Sequence, residues 1–285
     1  MRRLLLLIAL AACHDRGPAA LVPGEAGSAF RPAEAPDFVV LSVSGRTIDF
    51  LSPFCPPECN EPYLGAPGDA AEAVALDLVD RGYSVQRADY IAALFSYDDD
   101  ADGEADRLGF LQLVEDLNTI GELWIEGFDD PTRIVLVCHS HGCVWGHMAV
   151  SVTPDVPVWA LVSLAGVCTQ GESDCGAEVG NHFAANGTPY AWDLADPCAQ
   201  WTIPGLADPA DTDDVTFPSA ATNLEVRANA RSFGIQDTAP NHRPDGTREG
   251  IETLDPGEDD HSQVHDPART SMRWVRDRIL ARAAP

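Results

Sequence analysis

The order of apolar segments predicts an α/β protein: three layers, with a mostly parallel central sheet and helices on both faces. Two observations carry this. Strand-like and helix-like segments alternate along the chain, which implies parallel strands joined by helical crossovers. The strand-like segments are also nearly continuous apolar runs, as expected of strands covered on both sides. A body of roughly 250 residues suits one domain with a single core.

The elements follow in order. Residues 37–44 (DFVVLSVS) read as a buried strand ending at Gly45. Residues 70–80 have helical spacing, with Ala73, Leu76 and Val79 on the inner face and Gly82 as a stop. A strand is expected at 83–88, and an apolar helical pattern over 108–124 ends at Gly127 and Pro131. Ile134 to Val137 form a β-branched run, and Val144, Trp145, Met148 and Ala149 then repeat at helical spacing. Residues 158–165 (VWALVSLA) are another buried strand, and 224–228 a short one. A terminal helix over 267–281 places Met272, Val275 and Ile279 inward. The alternation breaks over 167–222, which is rich in Asp, Pro, Gly, Trp and Cys. There Phe183, Tyr190, Trp192 and Trp201 either line a pocket or form the insertion's own small core.

The most informative stretch is 133–150, RIVLVCHSHGCVWGHMAV. A strand, a sharp turn and a helix place Ser140 at the tip of a buried strand with its hydroxyl exposed, the setting that makes a serine nucleophilic. Small residues two before and two after the serine let strand and helix approach closely; Cys138 and Gly142 stand there. Cys138, His139, His141, Cys143 and His147 are also zinc ligands by type. Structural zinc ligands need convergent spacing, however, and His139 and His141 diverge from a tight turn.

This segment resembles the nucleophile elbow of the α/β-hydrolase superfamily, in the His-Ser-His-Gly form common among its lipases and esterases. The pattern is G-x-S-x-G, and the chain departs from it at Cys138. The resemblance implies a three-layer α/β-hydrolase fold over 37–283, with 167–222 as a cap or lid insertion. It further implies a triad in the chain order serine, acid, histidine. His261 lies where the base is expected, shortly before the last helix, with His265 as the alternative. Asp237, in the turn D-T-A-P, is placed as the acid, with Asp245 as the alternative. An oxyanion needs preorganised N–H donors. The resemblance assigns these to the backbone of His141 and, after the first strand, of Arg46. It implies two-step cleavage of small-molecule or lipid esters, with no cofactor required.

The N-terminus reads as an export signal over 1–12: Met1-Arg2-Arg3, a short apolar core, then Ala11-Ala12-Cys13. The core is too short to span a bilayer, which takes about 20 residues. Leu10 to Cys13 resembles the bacterial lipobox, which implies a lipid on Cys13 and a cell-envelope location. Residues 13–36 would then form a tether rich in Ala, Gly and Pro. Eight cysteines suit an exported protein. Cys55 with Cys59, and Cys168 with Cys175, are candidate disulfide pairs, although sequence does not fix connectivity. Lipidation of Cys13 leaves an odd number, and Cys138 is the expected buried free thiol.

A formal net charge of −27, with no lysine, excludes a basic groove for nucleic acid. Asp98, Asp100 and Asp102 followed by Gly103 suit a calcium loop, and a structural calcium ion is one reading. The other is a solvated acidic loop that favours the next helix N-terminus. Two functional alternatives to an esterase stand beside it. One is a non-catalytic surface lipoprotein that uses the fold as a binding module; the other is a metal-dependent binding protein.

Overall fold

The computed structural model describes residues 35–45, 66–92, 96, 105, 108–168, 201–228, 239–255 and 259–284. Cys13, Arg46, Cys55, Cys59, Asp98, Asp100, Asp102, Cys175 and Asp237 lie outside the described residues, as does 169–200 of the expected insertion.

Six strands form one sheet: β1 (Phe38–Val43), β2 (Val85–Tyr90), β3 (Arg133–His139), β4 (Val158–Leu164), β5 (Asn223–Val226) and β6 (Ile251–Leu254). Their spatial order is β2-β1-β3-β4-β5-β6, and every pairing is parallel. The helices are α1 (Ala66–Asp80), α2 (Phe110–Ile120), α3 (Gly142–Val152) and α4 (Thr270–Ala283). A π-helical turn, Gly121–Ile125, extends α2.

Alternate strand residues face opposite layers. Val39, Leu41, Ile134, Leu136 and Leu161 join the core beneath α2 and α3. Val40, Val135, Val137, Val162 and Leu224 join the core beneath α1 and α4. This is the predicted three-layer arrangement. On the second face Arg276 of α4 holds Asp77 of α1 through two hydrogen bonds, at 2.5 and 2.7 Å.

The chain runs from β1 outward to β2, then jumps back over β1 to β3 and continues the other way. The order therefore reverses between β1 and β3. Open parallel sheets bind ligands beyond the C-terminal strand ends at such a switch point, because the loops diverge there and leave a crevice.

Three expectations need correction. The inner face of α1 is Ala70, Ala71, Val74, Ala75 and Leu78, while Leu76 and Val79 are half exposed. The small alanines let the helix lie close on the sheet, and that stripe outweighs the larger but narrower set of Ala73, Leu76 and Val79. The strand expected at 83–88 is shifted to Val85–Tyr90. Strand β6 was not anticipated, because its four residues, Ile-Glu-Thr-Leu, form a half-buried edge with neither a continuous apolar run nor a buried face.

Candidate active site

Ser140 sits at the switch point, between β3 and the first turn of α3. Its φ is +54°, a left-handed conformation that is uncommon and strained for a residue with a side chain. The turn is held on both sides. Ser140 N–H donates to the Leu164 carbonyl at 3.0 Å, and Cys143 N–H to the Ser140 carbonyl at 2.9 Å. Backbones crowd the turn so closely that side chains are excluded. A Cβ on Gly142 would stand 2.4 Å from the Ser44 carbonyl oxygen, and one on Gly45 would stand 2.8 Å from Ser140 Cβ. The chain after β1 thus lies against the serine, where the second oxyanion donor was expected. Arg46 is the next residue but one after Ser44.

Cys138 is not a free thiol. It forms a disulfide with Cys143, with Cα atoms 4.8 Å apart. The same tightness that seemed to leave no room brings the strand end and the first helical turn within bridging distance. Cys168 is disulfide-bonded too. With Cys138 and Cys143 oxidised, the Cys/His set around the turn has lost its thiolates. Among the described residues no group of three His, Cys, Asp or Glu side chains is placed to hold a metal.

His261 lies in the turn between β6 and α4. Its Nε2 is 2.9 Å from Ser140 Oγ. The turn carrying it is anchored at several points. Val264 is fully buried, and Gln263 and Val264 N–H both donate to the Asp260 carbonyl. The Asp259 carboxylate accepts from Ser271 N–H at 3.0 Å and Ser271 Oγ at 2.7 Å, which ties the turn to the start of α4. His139 Nε2 is 2.9 Å from the His261 carbonyl. A carbonyl can only accept, so His139 is the donor and its Nε2 carries the proton. Sequence reasoning did not assign His139 this role.

Burial pushes the His261 imidazole down to about 4, with the His265 ring beside it adding and Asp260 opposing. Burial likewise holds His139 well below the usual histidine range, followed by the nearby His261 and His265. Both rings are therefore neutral at pH 7. The neutral form of His261 is the one able to take a proton. His261 Nδ1 is buried and has no hydrogen-bond partner among the described residues.

The alternatives sit elsewhere. His265 packs against His139, with ring centroids 5.1 Å apart, and the ring at Ser140 Oγ is that of His261. Asp245 is exposed and closes its own turn, accepting from Thr247 N–H at 2.9 Å and Thr247 Oγ1 at 2.7 Å. Those bonds lower its carboxyl. Asp260 closes its own turn in the same way, through Ser262.

A buried polar network lies behind the elbow, and sequence reasoning missed it. His147 on α3 contacts the Val215 carbonyl through Nδ1 and Ser163 Oγ through Nε2, both at 2.8 Å. The carbonyl fixes the tautomer: Nδ1 carries the proton, and Ser163 donates to Nε2. Asn223 donates to Ser163 Oγ at 2.9 Å, and Asn241 to Asn223 Oδ1 at 2.8 Å. Asn241 N–H and Arg248 then hold the two oxygens of buried Glu225. The chain of bonds fastens residues 241–248 to β4 and β5. A histidine on an apolar helix and an Asn and Glu in a buried strand were the available signals.

A cavity of about 580 Å³ is lined by Gly166–Cys168, Leu206–Asp211, Asp213, Asp214, Ala239, Pro240 and His242.

No family model matches the chain, and no curated protein matches it. Several solved structures are similar to it. Est1E from Butyrivibrio proteoclasticus is 10% identical, covering 86% of this chain and 88% of that one, with a TM-score of 0.37. The Pyrococcus furiosus esterase Pf2001 is 11% identical, covering 86% and 81%, with a TM-score of 0.40. A Bacillus megaterium epoxide hydrolase is 11% identical, covering 87% and 94%, with a TM-score of 0.37. Likeness at this level carries no argument about activity.

Proposed function

We propose that this chain is a serine hydrolase of the α/β-hydrolase superfamily, cleaving carboxylic esters of small molecules or lipids through an acyl-enzyme on Ser140. The observation that carries this reading is the 2.9 Å contact between Ser140 Oγ and His261 Nε2, on a strand–turn–helix with φ of +54°. A serine in a strained turn, within hydrogen-bond reach of a neutral buried imidazole, is a nucleophile and its base.

The chemistry runs in two steps. His261 takes the Ser140 proton through Nε2 as Oγ attacks the ester carbonyl, and the imidazolium returns that proton to the departing alcohol. Water, activated by the same imidazole, then cleaves the acyl-enzyme. The oxyanion of each tetrahedral intermediate lies against the backbone N–H of His141 and that of Arg46. Asp237 supplies the carboxylate to His261 Nδ1. The buried Nδ1, without a partner among the described residues, calls for an acceptor of this kind. No cofactor enters either step.

The sequence supports a location to match: export on residues 1–12, a lipid on Cys13, and a cap over the site from within 167–222. No helix among the described residues is long and apolar enough to cross a membrane. Loss of lipid incorporation in Cys13→Ser would test the anchor.

The deciding experiment is labelling by a fluorophosphonate, wild type beside Ser140→Ala. Labelling of wild type alone is the expected result. A folded wild-type protein that takes no label would overturn the hydrolase reading and favour a binding module on the same fold.

A further inference from the structure

Two consecutive residues hold His261, and they hold it at opposite ends. Ser140 Oγ meets Nε2 of its ring at 2.9 Å. His139 Nε2 donates to its backbone carbonyl, also at 2.9 Å. The first contact is the path of the proton. The second has no part in either chemical step, yet it falls on the residue that carries the base. Among the described residues, the other hydrogen bonds of this turn fall on its neighbours: Asp259 with Ser271, and Asp260 with Ser262, Gln263 and Val264.

Strand geometry explains the placement. Alternate residues of a strand face opposite layers, so His139 shares a face with Val135 and Val137. Those two valines lie in the core beneath α1 and α4. The His261 turn leads directly into α4, so the residue before the nucleophile faces the loop that brings the base. His139 is itself well fixed. It ends β3, in register with Leu164 of β4, and is only 4% exposed. Its ring packs against those of His261 and His265, with centroids 4.9 and 5.1 Å away. An apolar side chain would fill the same space without the cost of burying an imidazole, but it could not donate.

We propose that His139 is a positioning residue: its Nε2–H ties the loop-borne His261 to the rigid end of β3, and so sets the distance from that imidazole to Ser140 Oγ. A functional group on a loop is held less precisely than one on a strand unless a rigid element supports it. A displacement of about 1 Å in a reacting pair can cost about 100-fold in rate. The inference rests on the hydrolase reading, and the test separates the two.

The test uses a matched pair of variants in the full chain, His139→Gln and His139→Met. The two new side chains have the same length, and only glutamine keeps an N–H donor at the place of the histidine Nε2. Turnover of p-nitrophenyl butyrate is measured beside the rate of fluorophosphonate labelling. His139→Gln should keep both rates within about threefold of wild type, whereas His139→Met should lower kcat and labelling by about 10- to 100-fold and leave KM within about twofold. With His261→Ala already in place, His139→Met should cost less than about a further twofold, because no ring is left to position. Equal losses in the two variants, or a full loss added to that of His261→Ala, would overturn the proposal. The bond itself is read in wild type, by long-range proton–nitrogen NMR of the histidine rings, which depends on no variant folding. His139 should carry its proton on Nε2, and a proton on Nδ1 would overturn the proposal. If wild type is labelled and active while His139→Met matches it, the hydrolase reading stands and the positioning role fails. If wild type is neither labelled nor active while His139 keeps its Nε2 proton, the hydrolase reading fails, and the positioning role with it, although the bond is real.

Discussion

Cys138 and Cys143 stand on either side of Ser140 and are joined, their Cα atoms 4.8 Å apart. The bridge closes the strained turn from below, linking the last part of β3 to the first turn of α3. It spans five residues. A loop that short gives a chain-entropy stabilisation of only about 2 kcal/mol. Replacing both cysteines by alanine should therefore lower Tm by about 4–8 °C in a calorimetric scan. Fluorophosphonate labelling should slow as well, because the turn is then free to relax from its positive φ. Unchanged labelling kinetics would show that packing around Gly142 and Gly45 alone holds the turn.

The two histidines near the serine should respond very differently. His261→Ala should slow labelling by at least about 10³-fold, as expected for loss of the base. His265→Ala, which removes only a ring packed on His139, should cost less than about tenfold. Comparable losses in both variants would mean that the histidines share the proton.

An acidic partner for His261 Nδ1 has its own signature. Asp237→Asn should cut kcat by up to about 10⁴-fold. The acid limb of the pH–rate profile should move to lower pH in that variant. The base works only when neutral, so activity rises with pH through its pKa, and removing a negative neighbour lowers that pKa. An acid limb that does not move would place the carboxylate elsewhere.

Gly142 should tolerate no side chain. An alanine there would drive its Cβ to 2.4 Å from the Ser44 carbonyl oxygen and 2.5 Å from that of Val43, and backbone cannot swing aside as a side-chain tip can. Gly142→Ala should destabilise the fold by about 3 kcal/mol in urea denaturation and abolish labelling. Gly82→Ala is a useful contrast. It meets no atom within 4 Å, and its cost is only that of a φ of +91°.

Stability should fall on mild acidification. His147 is fully buried, and its pKa is lowered to about 4 by burial, opposed by its bond to Val215. Its ordinary value is about 6.5. The unfolded chain thus binds a proton between those values and the folded protein does not. The stabilisation is complete above about pH 6.5 and is lost as pH falls toward about 4, on the order of 3 kcal/mol from this residue. Asp213, raised to about 7, has the opposite sign: its contribution weakens as pH rises from about 4 to about 7. His261, also lowered to about 4 by burial, and His139, lowered likewise, lose stabilisation in the same direction as His147 and together outweigh Asp213, so the urea midpoint should decline between about pH 6.5 and about 4, and His147→Gln should flatten that decline.

Much of the architecture was legible because it is written in local runs. β1, β3 and β4 are largely apolar runs rich in Val, Ile and Leu, and the change from strand to helix brackets Ser140 within 133–150. His261 was accessible through chain order, as a histidine just ahead of the last helix. What was not legible depends on distance in sequence or on small differences in surface. The network from His147 to Glu225 joins residues on α3, β4, β5 and the segment before β6, and no period reports such partners. The inner face of α1 turned on alanines, whose hydrophobicity is too slight to outrank Leu76 and Val79 on paper. β6 is four residues of sheet edge, held by its pairing with β5. The Cys138–Cys143 bridge was missed because spacing suggests crowding, while only the geometry of the turn shows that crowding brings the two sulfurs together.

Ser140 and His261 are 121 residues apart in the chain, in the turns that follow the strands at positions three and six of the sheet. The contact between them closes a long loop, so it is expected to form late, after β4, β5 and β6 have added. During refolding, then, burial of Trp124 and Trp145 beneath the first-formed strands should run ahead of reactivity toward a serine probe. The site itself is a clock for the last stage of assembly.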